Sequence, residues 1–91
     1  MGTLHQDRGE LHGITVVVDT SGPRVYVGRC DTMDDERIVL LDVDVHEDGT
    51  DGRSKTEYVR RAALVGVWKK HDRLVVSMRE VASVLRLAEV S

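Results

Sequence analysis

The chain has 91 residues, the size of one domain with a small core, and its formal net charge at pH 7 is −3. This charge excludes a nucleic-acid binder that relies on bulk positive charge. No apolar run approaches the ~18 residues of a membrane-spanning helix, and Met1 to Gly13 lacks the apolar stretch of a signal peptide. We therefore expect one cytoplasmic domain, 1–91, without a membrane segment.

Two strands are predicted near the start of the chain. Ile14 to Asp19 is rich in β-branched residues, which favour strands, and Arg24 to Cys30 is a second run that contains valines. Gly22 and Pro23 between the two runs are residues that favour turns. The two runs are therefore expected to form a hairpin.

The longest predicted strand is Arg37 to Glu47, which follows an acidic turn at Met33 to Glu36. A period of two divides its side chains between two faces. One face carries Val39, Leu41, Val43 and Val45, and the other carries Ile38, Leu40, Asp42, Asp44 and His46. The second face is apolar at only one end, so we expect a neighbouring subunit to cover Ile38 and Leu40.

A loop with two glycines, Asp48 to Arg53, leads into Ser54-Lys55-Thr56-Glu57, which matches the capping box of a helix N-terminus. The capping box predicts a short helix over about Lys55 to Ala63. An extended strand is the alternative, because Tyr58 and Val59 also have β propensity.

Three further strands are predicted in the last third of the chain, at Leu64 to Trp68, Leu74 to Met78 and Val81 to Leu87. Polar turns at Lys69 to Asp72 and at Arg79 and Glu80 separate them. Five or six short strands with little helix indicate an all-β protein, a small closed barrel, because closure removes exposed strand edges.

The stretch from Gly13 to Val43 resembles the first of the two Sm motifs of Sm/LSm (Hfq-like) proteins. The matching residues are Gly13, Val16, Val18, Gly22, Gly28, Cys30, Met33, Asp34 and Leu41. The second motif is matched only in its apolar frame, over Val76 to Val84. The resemblance implies a bent, five-stranded, SH3-like barrel of the Sm type and, as partners, further copies of the chain in a ring. Edge pairing between Leu74–Met78 of one subunit and Val81–Leu87 of the next would close that ring.

Under this resemblance the single domain has four parts: an N-terminal segment at 1–13, first-motif strands at 14–47, a variable connection at 48–73 and second-motif strands at 74–87. The family holds RNA bases with an Asn in the first motif and an Arg in the second. Ile38 and Ser77 stand at those positions here, and neither side chain can replace the contacts that are lost. Asp34 matches the acidic position of the motif.

A basic cluster offers a different route to RNA, because Lys69, Lys70 and Arg73 lie close to Trp68 in the sequence. A charged hairpin tip in solvent is the alternative interpretation. The candidate RNA-binding residues are Asp34, Arg37, Lys69, Lys70 and Arg73. Two hypotheses follow: a ring-forming module that binds single-stranded RNA, or an oligomeric assembly protein that has kept the fold and lost the RNA pocket.

No residue pattern indicates an enzyme, a metal site or a cofactor site. Asp42, Asp44 and His46 share a strand face and could surround a cation, although a solvated face is the simpler interpretation. The same holds for His5 and His12 near the N-terminus. The single cysteine, Cys30, is expected to pack as a small apolar side chain, because no sequence signature supplies a base to activate it.

Overall fold

The computed structural model describes residues 11–90, so His5 and most of the segment 1–13 lie outside it. Its elements are β1 (Thr15–Thr20), β2 (Arg24–Met33), β3 (Arg37–Glu47), α1 (Lys55–Val65), β4 (His71–Ser77) and β5 (Val81–Arg86), with single 3-10 turns at Thr50–Gly52 and Leu87–Glu89. The strands form one bent antiparallel sheet in the order β4-β3-β2-β1-β5. The predicted bent sheet of five strands with one short helix is confirmed, but within residues 11–90 β4 and β5 do not pair with each other, so the expected closure of the strand edges is not found in one copy.

A β-bulge in the middle of β3 changes which side chains face the core. Arg29 of β2 pairs with Leu41, but Val27 pairs with Asp44, so that Asp42 and Val43 together lie opposite Gly28. Asp42 takes a left-handed conformation with φ 52°, which Asp tolerates better than most residues. The strict alternation predicted for this strand is therefore wrong, because one extra residue reverses the faces after Leu41.

The sheet has an apolar cluster on each side. The inner cluster consists of Val16, Val18, Tyr26, Cys30, Ile38, Leu40, Val43 and Val76. The outer cluster lies beneath α1 and consists of Val17, Val25, Val27, Tyr58 and Ala62. Ile38 and Leu40 are fully buried in the inner cluster, so the expectation that a neighbouring subunit covers them is wrong. Cys30 packs there as predicted, and burial raises the pKa of its thiol.

Helix α1 begins at the predicted capping box. The Ser54 hydroxyl accepts from the Glu57 N–H at 3.2 Å, and the Glu57 carboxylate accepts from the Ser54 N–H at 3.2 Å. The helix continues to Val65 and ends at Gly66, where φ is 77°. The helix interpretation of this segment is therefore confirmed over the extended one.

The strand predicted at Leu64–Trp68 is wrong, because α1 takes up its first two residues and Gly66 then stops the helix. Residues 66–69 form no strand, and β4 begins at His71, three residues before the predicted start. Within residues 11–90 no helix has the length and apolar character that crossing a membrane requires.

A test of the bulge is Gly28→Val, because a Cβ at Gly28 would lie only 3.2 Å from the carbonyl oxygen of Leu41 and 3.1 Å from a methyl group of Val43. Crowding of this kind in a packed sheet costs about 1–3 kcal/mol. We expect Gly28→Val to lower the free energy of unfolding in urea by that amount. Gly22→Ala is the control, since its new Cβ would meet only the Thr20 hydroxyl at 4.0 Å. Equal stability of the two variants would contradict the close approach at the bulge.

Candidate functional site

The predicted RNA-binding residues lie in two separate places. Asp34 and Arg37 flank the turn between β2 and β3, whereas Lys70 lies at the other end of β3, where its N–H donates to the Val43 carbonyl at 2.8 Å. Six residues of strand separate Arg37 from Val43, a span of about 20 Å at ~3.3 Å per residue. The five candidates therefore do not form one site.

Asp34 has a structural role in the turn. Its carboxylate accepts from the N–H groups of Glu36 at 2.8 Å and Arg37 at 3.0 Å, and its own N–H donates to the Arg37 carbonyl at 3.0 Å. The Arg37 guanidinium lies 3.7 Å from the Glu36 carboxylate on the exposed surface. These contacts explain an acid at this position without RNA.

The family's base-binding positions fall together in space but lack the necessary groups. Arg37 pairs with Ser77, and Ile38 pairs with Val76, at the end of the β3–β4 ladder. Ile38 is fully buried and packs in the inner cluster. A buried aliphatic side chain presents neither a hydrogen-bonding group nor a stacking surface to a base, so a pocket of the family's kind cannot form at this end of the sheet.

The two lysines of the basic cluster are both paired with carboxylates. Lys69 Nζ lies 2.7 Å from Asp72 and 3.5 Å from Asp42. The hydrogen bond between Lys69 and Asp72 raises the pKa of the lysine and lowers that of the acid. Lys70 Nζ donates to the Val45 carbonyl at 2.9 Å and lies 3.4 Å from Asp44. Arg73 is exposed on β4 opposite Leu41.

Beneath Lys70 lies a buried polar network that sequence reasoning missed. The Tyr58 hydroxyl donates to Asp44 Oδ2 at 2.6 Å, and the Tyr58 ring stacks on His46 with ring centres 4.5 Å apart. Nε2 of His46 donates to the Arg53 carbonyl at 3.0 Å. Asp44 Oδ1 accepts no hydrogen bond among the described residues, because Lys70 approaches at ion-pair distance but in poor hydrogen-bond geometry.

The positions of Asp44 and His46 in this network contradict the predicted cation site on β3. The bulge turns Asp42 to the surface, where it lies 3.1 Å from Arg29, while Asp44 and His46 point beneath α1. In the described part of the chain no three His, Cys, Asp or Glu side chains lie close enough together to hold a metal ion. The predicted grouping of Asp42 with Asp44 and His46 is therefore wrong.

A cleft of about 650 Å³ opens between α1 and the segment that leads into β4. Its charged and aromatic lining consists of Asp44, Arg53, Tyr58, Arg61, Trp68, Lys69 and Lys70. Four cations face one acid here, although the whole chain is acidic. We call this feature the basic cleft.

The sheet leaves two strands without a second neighbour. Among residues 11–90, β4 pairs only with β3 and β5 only with β1. Val75 on β4 and Leu85 on β5 are 47% and 53% exposed. Both alternate with inward-facing neighbours of the inner cluster, so both lie on the outer face. The chain therefore carries an open backbone edge with an exposed apolar side chain at each end of the sheet.

The Tyr58–Asp44 contact predicts a measurable loss of stability. Because an unmet buried acceptor costs about 1–3 kcal/mol, we expect Tyr58→Phe to lower the free energy of unfolding in urea by that amount. Tyr26→Phe is the control, since that hydroxyl interacts with the exposed Arg24 instead of a buried carboxylate. A smaller loss for Tyr58→Phe than for the control would contradict a structural role for the contact.

The contact between Tyr58 and Asp44 also makes the free energy of unfolding of the wild type fall at alkaline pH. Burial, and then the hydrogen bond to Asp44, raises the pKa of Tyr58 above its ordinary value of 10.0. Its stabilising contribution is thus complete below about pH 10 and is lost as the pH rises further. Tyr58→Phe should lack this component of the pH dependence.

Among the comparisons with known proteins, those with solved structures found matches, and these matches agree on the fold. No family model matches the sequence, and no curated protein matches it. Among solved structures, the Sm protein of Pyrococcus abyssii in complex with a uridine heptamer is similar over 90% of this chain and 94% of its own, with a TM-score of 0.63 and 16% identity. A chain of the NatC complex bound to CoA is similar over 86% of this chain and 80% of its own, with a TM-score of 0.58 and 18% identity. A chain of the NatC complex bound to Gag peptide and CoA has a TM-score of 0.56, also at 18% identity, and covers 85% of this chain and 86% of its own. The chain therefore has an Sm-like fold, as the first motif indicates.

Proposed function

We propose that this protein is an Sm-like assembly module whose copies join edge to edge into a closed homo-oligomeric ring, without a catalytic role. The observation that carries the proposal is the pair of open strands, β4 and β5, at opposite ends of one sheet. Each offers a row of backbone groups that a strand from another copy can pair with. Since the two edges differ, the contact is head-to-tail, and such contacts close into rings when the rotation between copies permits.

The geometry of β4 shows which groups are available. The Met78 N–H donates to the Glu36 carbonyl at 2.9 Å, just beyond the end of the β3–β4 ladder, and therefore points towards the β3 side. In an antiparallel ladder the inward N–H groups recur at every second residue, so the N–H of Val75 points away from β3. Pairing with β5 of another copy would satisfy this group and cover the side chains of Val75 and Leu85.

The first test is the mass of the purified protein by light scattering and analytical ultracentrifugation. We expect a concentration-dependent oligomer. Val75→Pro should return it to the monomer, because proline removes the outward N–H without removing an inner ladder bond. Val75→Thr keeps the N–H and the branched shape and is the matched control. A wild-type monomer at micromolar concentration would overturn the ring.

A second candidate function is binding of single-stranded RNA through phosphate contacts at the basic cleft. The observation that favours it is the four cations of the cleft, and the similar Pyrococcus abyssii protein was solved with a uridine heptamer. Ile38 and Ser77 argue against a base pocket, so binding of this kind would be indifferent to sequence and strongly dependent on salt.

The RNA test is a titration of Lys69→Ala/Lys70→Ala with single-stranded RNA at two salt concentrations. We expect the affinity for all RNAs to fall alike and the salt dependence to flatten by roughly 0.7 per lost phosphate contact in log–log form. Arg24→Ala/Arg79→Ala removes the same charge outside the cleft and is the matched control, and thermal unfolding verifies that each variant is folded. A preference for oligo-U that survives high salt would contradict the phosphate mechanism. No binding at low salt would contradict RNA binding, and the assembly function would be the one that remains.

A further inference from the structure

The three most exposed large apolar side chains of the described chain lie close together in the sequence, at and just after the end of α1. Leu64, Val65 and Trp68 are 83%, 70% and 91% exposed, and Trp68 is the only tryptophan in the sequence. Val65, the last residue of α1, and Trp68, in the segment that leads into β4, both line the basic cleft. We call these three residues the apolar patch. Large apolar side chains clustered on a surface usually mark an interaction site.

A matching concavity lies on the same outer face at the other end of the sheet. It is a groove of about 290 Å³ between the first half of α1 and β5. Its apolar lining consists of Val17, Val59, Leu85 and Val90, and the rest of its lining is polar or charged: Asp19, Lys55, Thr56, Arg60 and Ser83. We call it the β5 groove.

Edge pairing would bring the apolar patch of one copy to the β5 groove of the next. When the midpoints of antiparallel β4 and β5 are aligned, Leu74 lies opposite residue 83 or 84 of the second copy. Antiparallel pairing places the start of β4 beside the end of β5, so Trp68, which precedes β4, comes to the end of β5 at which Val90 lines the groove. We infer that Trp68 of each copy inserts into the β5 groove of the next copy, an interaction that rests on the proposed ring.

The chemistry at the patch favours a second copy over a nucleic-acid base. Trp68 follows the exposed aliphatic side chains of Leu64 and Val65, which add apolar area that a protein surface can bury but no hydrogen-bonding group for a base. The lysine beside it, Lys69, is already paired with Asp72 at 2.7 Å. The same arrangement brings Lys69 to the end of β5 where Glu89 of the second copy is exposed, so the two charged side chains near the inserted tryptophan are opposite in sign.

The experiment uses Trp68 as its own reporter, because no other tryptophan contributes to the emission. Fluorescence and acrylamide quenching are followed over a dilution series of the full chain, with the mass measured on the same samples. We expect the emission to shift to the blue and quenching to weaken as the mass rises. Trp68→Ala should weaken association by about 30-fold, the ~2 kcal/mol of an interface hot spot at 1.4 kcal/mol per decade.

Complementation separates the two halves of the contact. Thr56→Arg fills the β5 groove from the exposed start of α1 and leaves Trp68 in place, whereas Trp68→Ala leaves the groove open and emits no tryptophan signal. Each variant alone should associate weakly. In an equimolar mixture, Trp68 of the Thr56→Arg variant can enter the open groove of the Trp68→Ala variant. The mixture should therefore form a dimer and restore the blue shift of the emission. Ala63→Arg, at an exposed position of α1 that does not line the groove, is the control and should behave as the wild type.

The outcomes distinguish this inference from the proposed ring. An oligomer in which Trp68 is quenched as readily as in the monomer overturns the Trp68 contact and leaves edge pairing intact. The absence of any oligomer overturns both. Shielding of Trp68 only when single-stranded RNA is added, with one chain per complex, overturns the contact in favour of base stacking. A mixture of Trp68→Ala and Thr56→Arg that stays red-shifted also overturns it.

Discussion

The rest of the structure depends on the bulge at Asp42. Before it, Ile38 and Leu40 point into the inner cluster, and after it Val43 and Val45 do the same. Without the extra residue, regular alternation would turn either the first pair or the second away from that cluster. The bulge also directs Asp44 and His46 to the opposite face, where Tyr58 covers them. The one extra residue thus directs apolar side chains of β3 into the inner cluster and places Asp44 and His46 on the outer face, where they contact α1.

Helix α1 is held on the outer face at two points. Near its centre, Tyr58 is fixed by Asp44 and by stacking on His46. At its first residue, Lys55 donates to Asp19 at 2.8 Å and to the Thr20 carbonyl at 3.0 Å, next to the turn between β1 and β2. These polar contacts join α1 to β1 and β3, and so they fix the direction of the helix in addition to its apolar packing through Tyr58 and Ala62. The helix direction in turn determines that Trp68 and the β5 groove lie at opposite ends of the same face.

The sequence predicted much of this fold because its signals are local. Valine-rich runs mark β1 and β2, and the capping box at Ser54 and Glu57 marks the start of α1. The bulge left no such signal, since Asp42 reads as an ordinary outward residue of an alternating strand. The contacts of the candidate site were harder to predict from the sequence, because they are not local. Tyr58 and Asp44 are 14 residues apart, and the salt bridges of Lys69 and Lys70 reach back across the sheet to Asp42 and Asp44. Only the topology brings these groups together, so two lysines that read as free positive charges in the sequence are paired with carboxylates in the structure.

A strand edge offers affinity without a fixed register. Backbone pairing between β4 and β5 satisfies the same N–H and C=O groups when one strand slides by two residues, because such a slip keeps every side chain on its face. Val75 and Leu85 are each a single exposed apolar side chain and resist that slip weakly. A tryptophan that enters a groove resists it strongly, since a two-residue slip displaces the ring by about 7 Å. A ring closes only when the rotation between copies is the same at every contact, so the register between β4 and β5 must also be the same at every contact. Backbone pairing alone does not determine that register. In the proposed ring, the Trp68 contact would supply that register from the segment between β3 and β4, where this chain carries its helix.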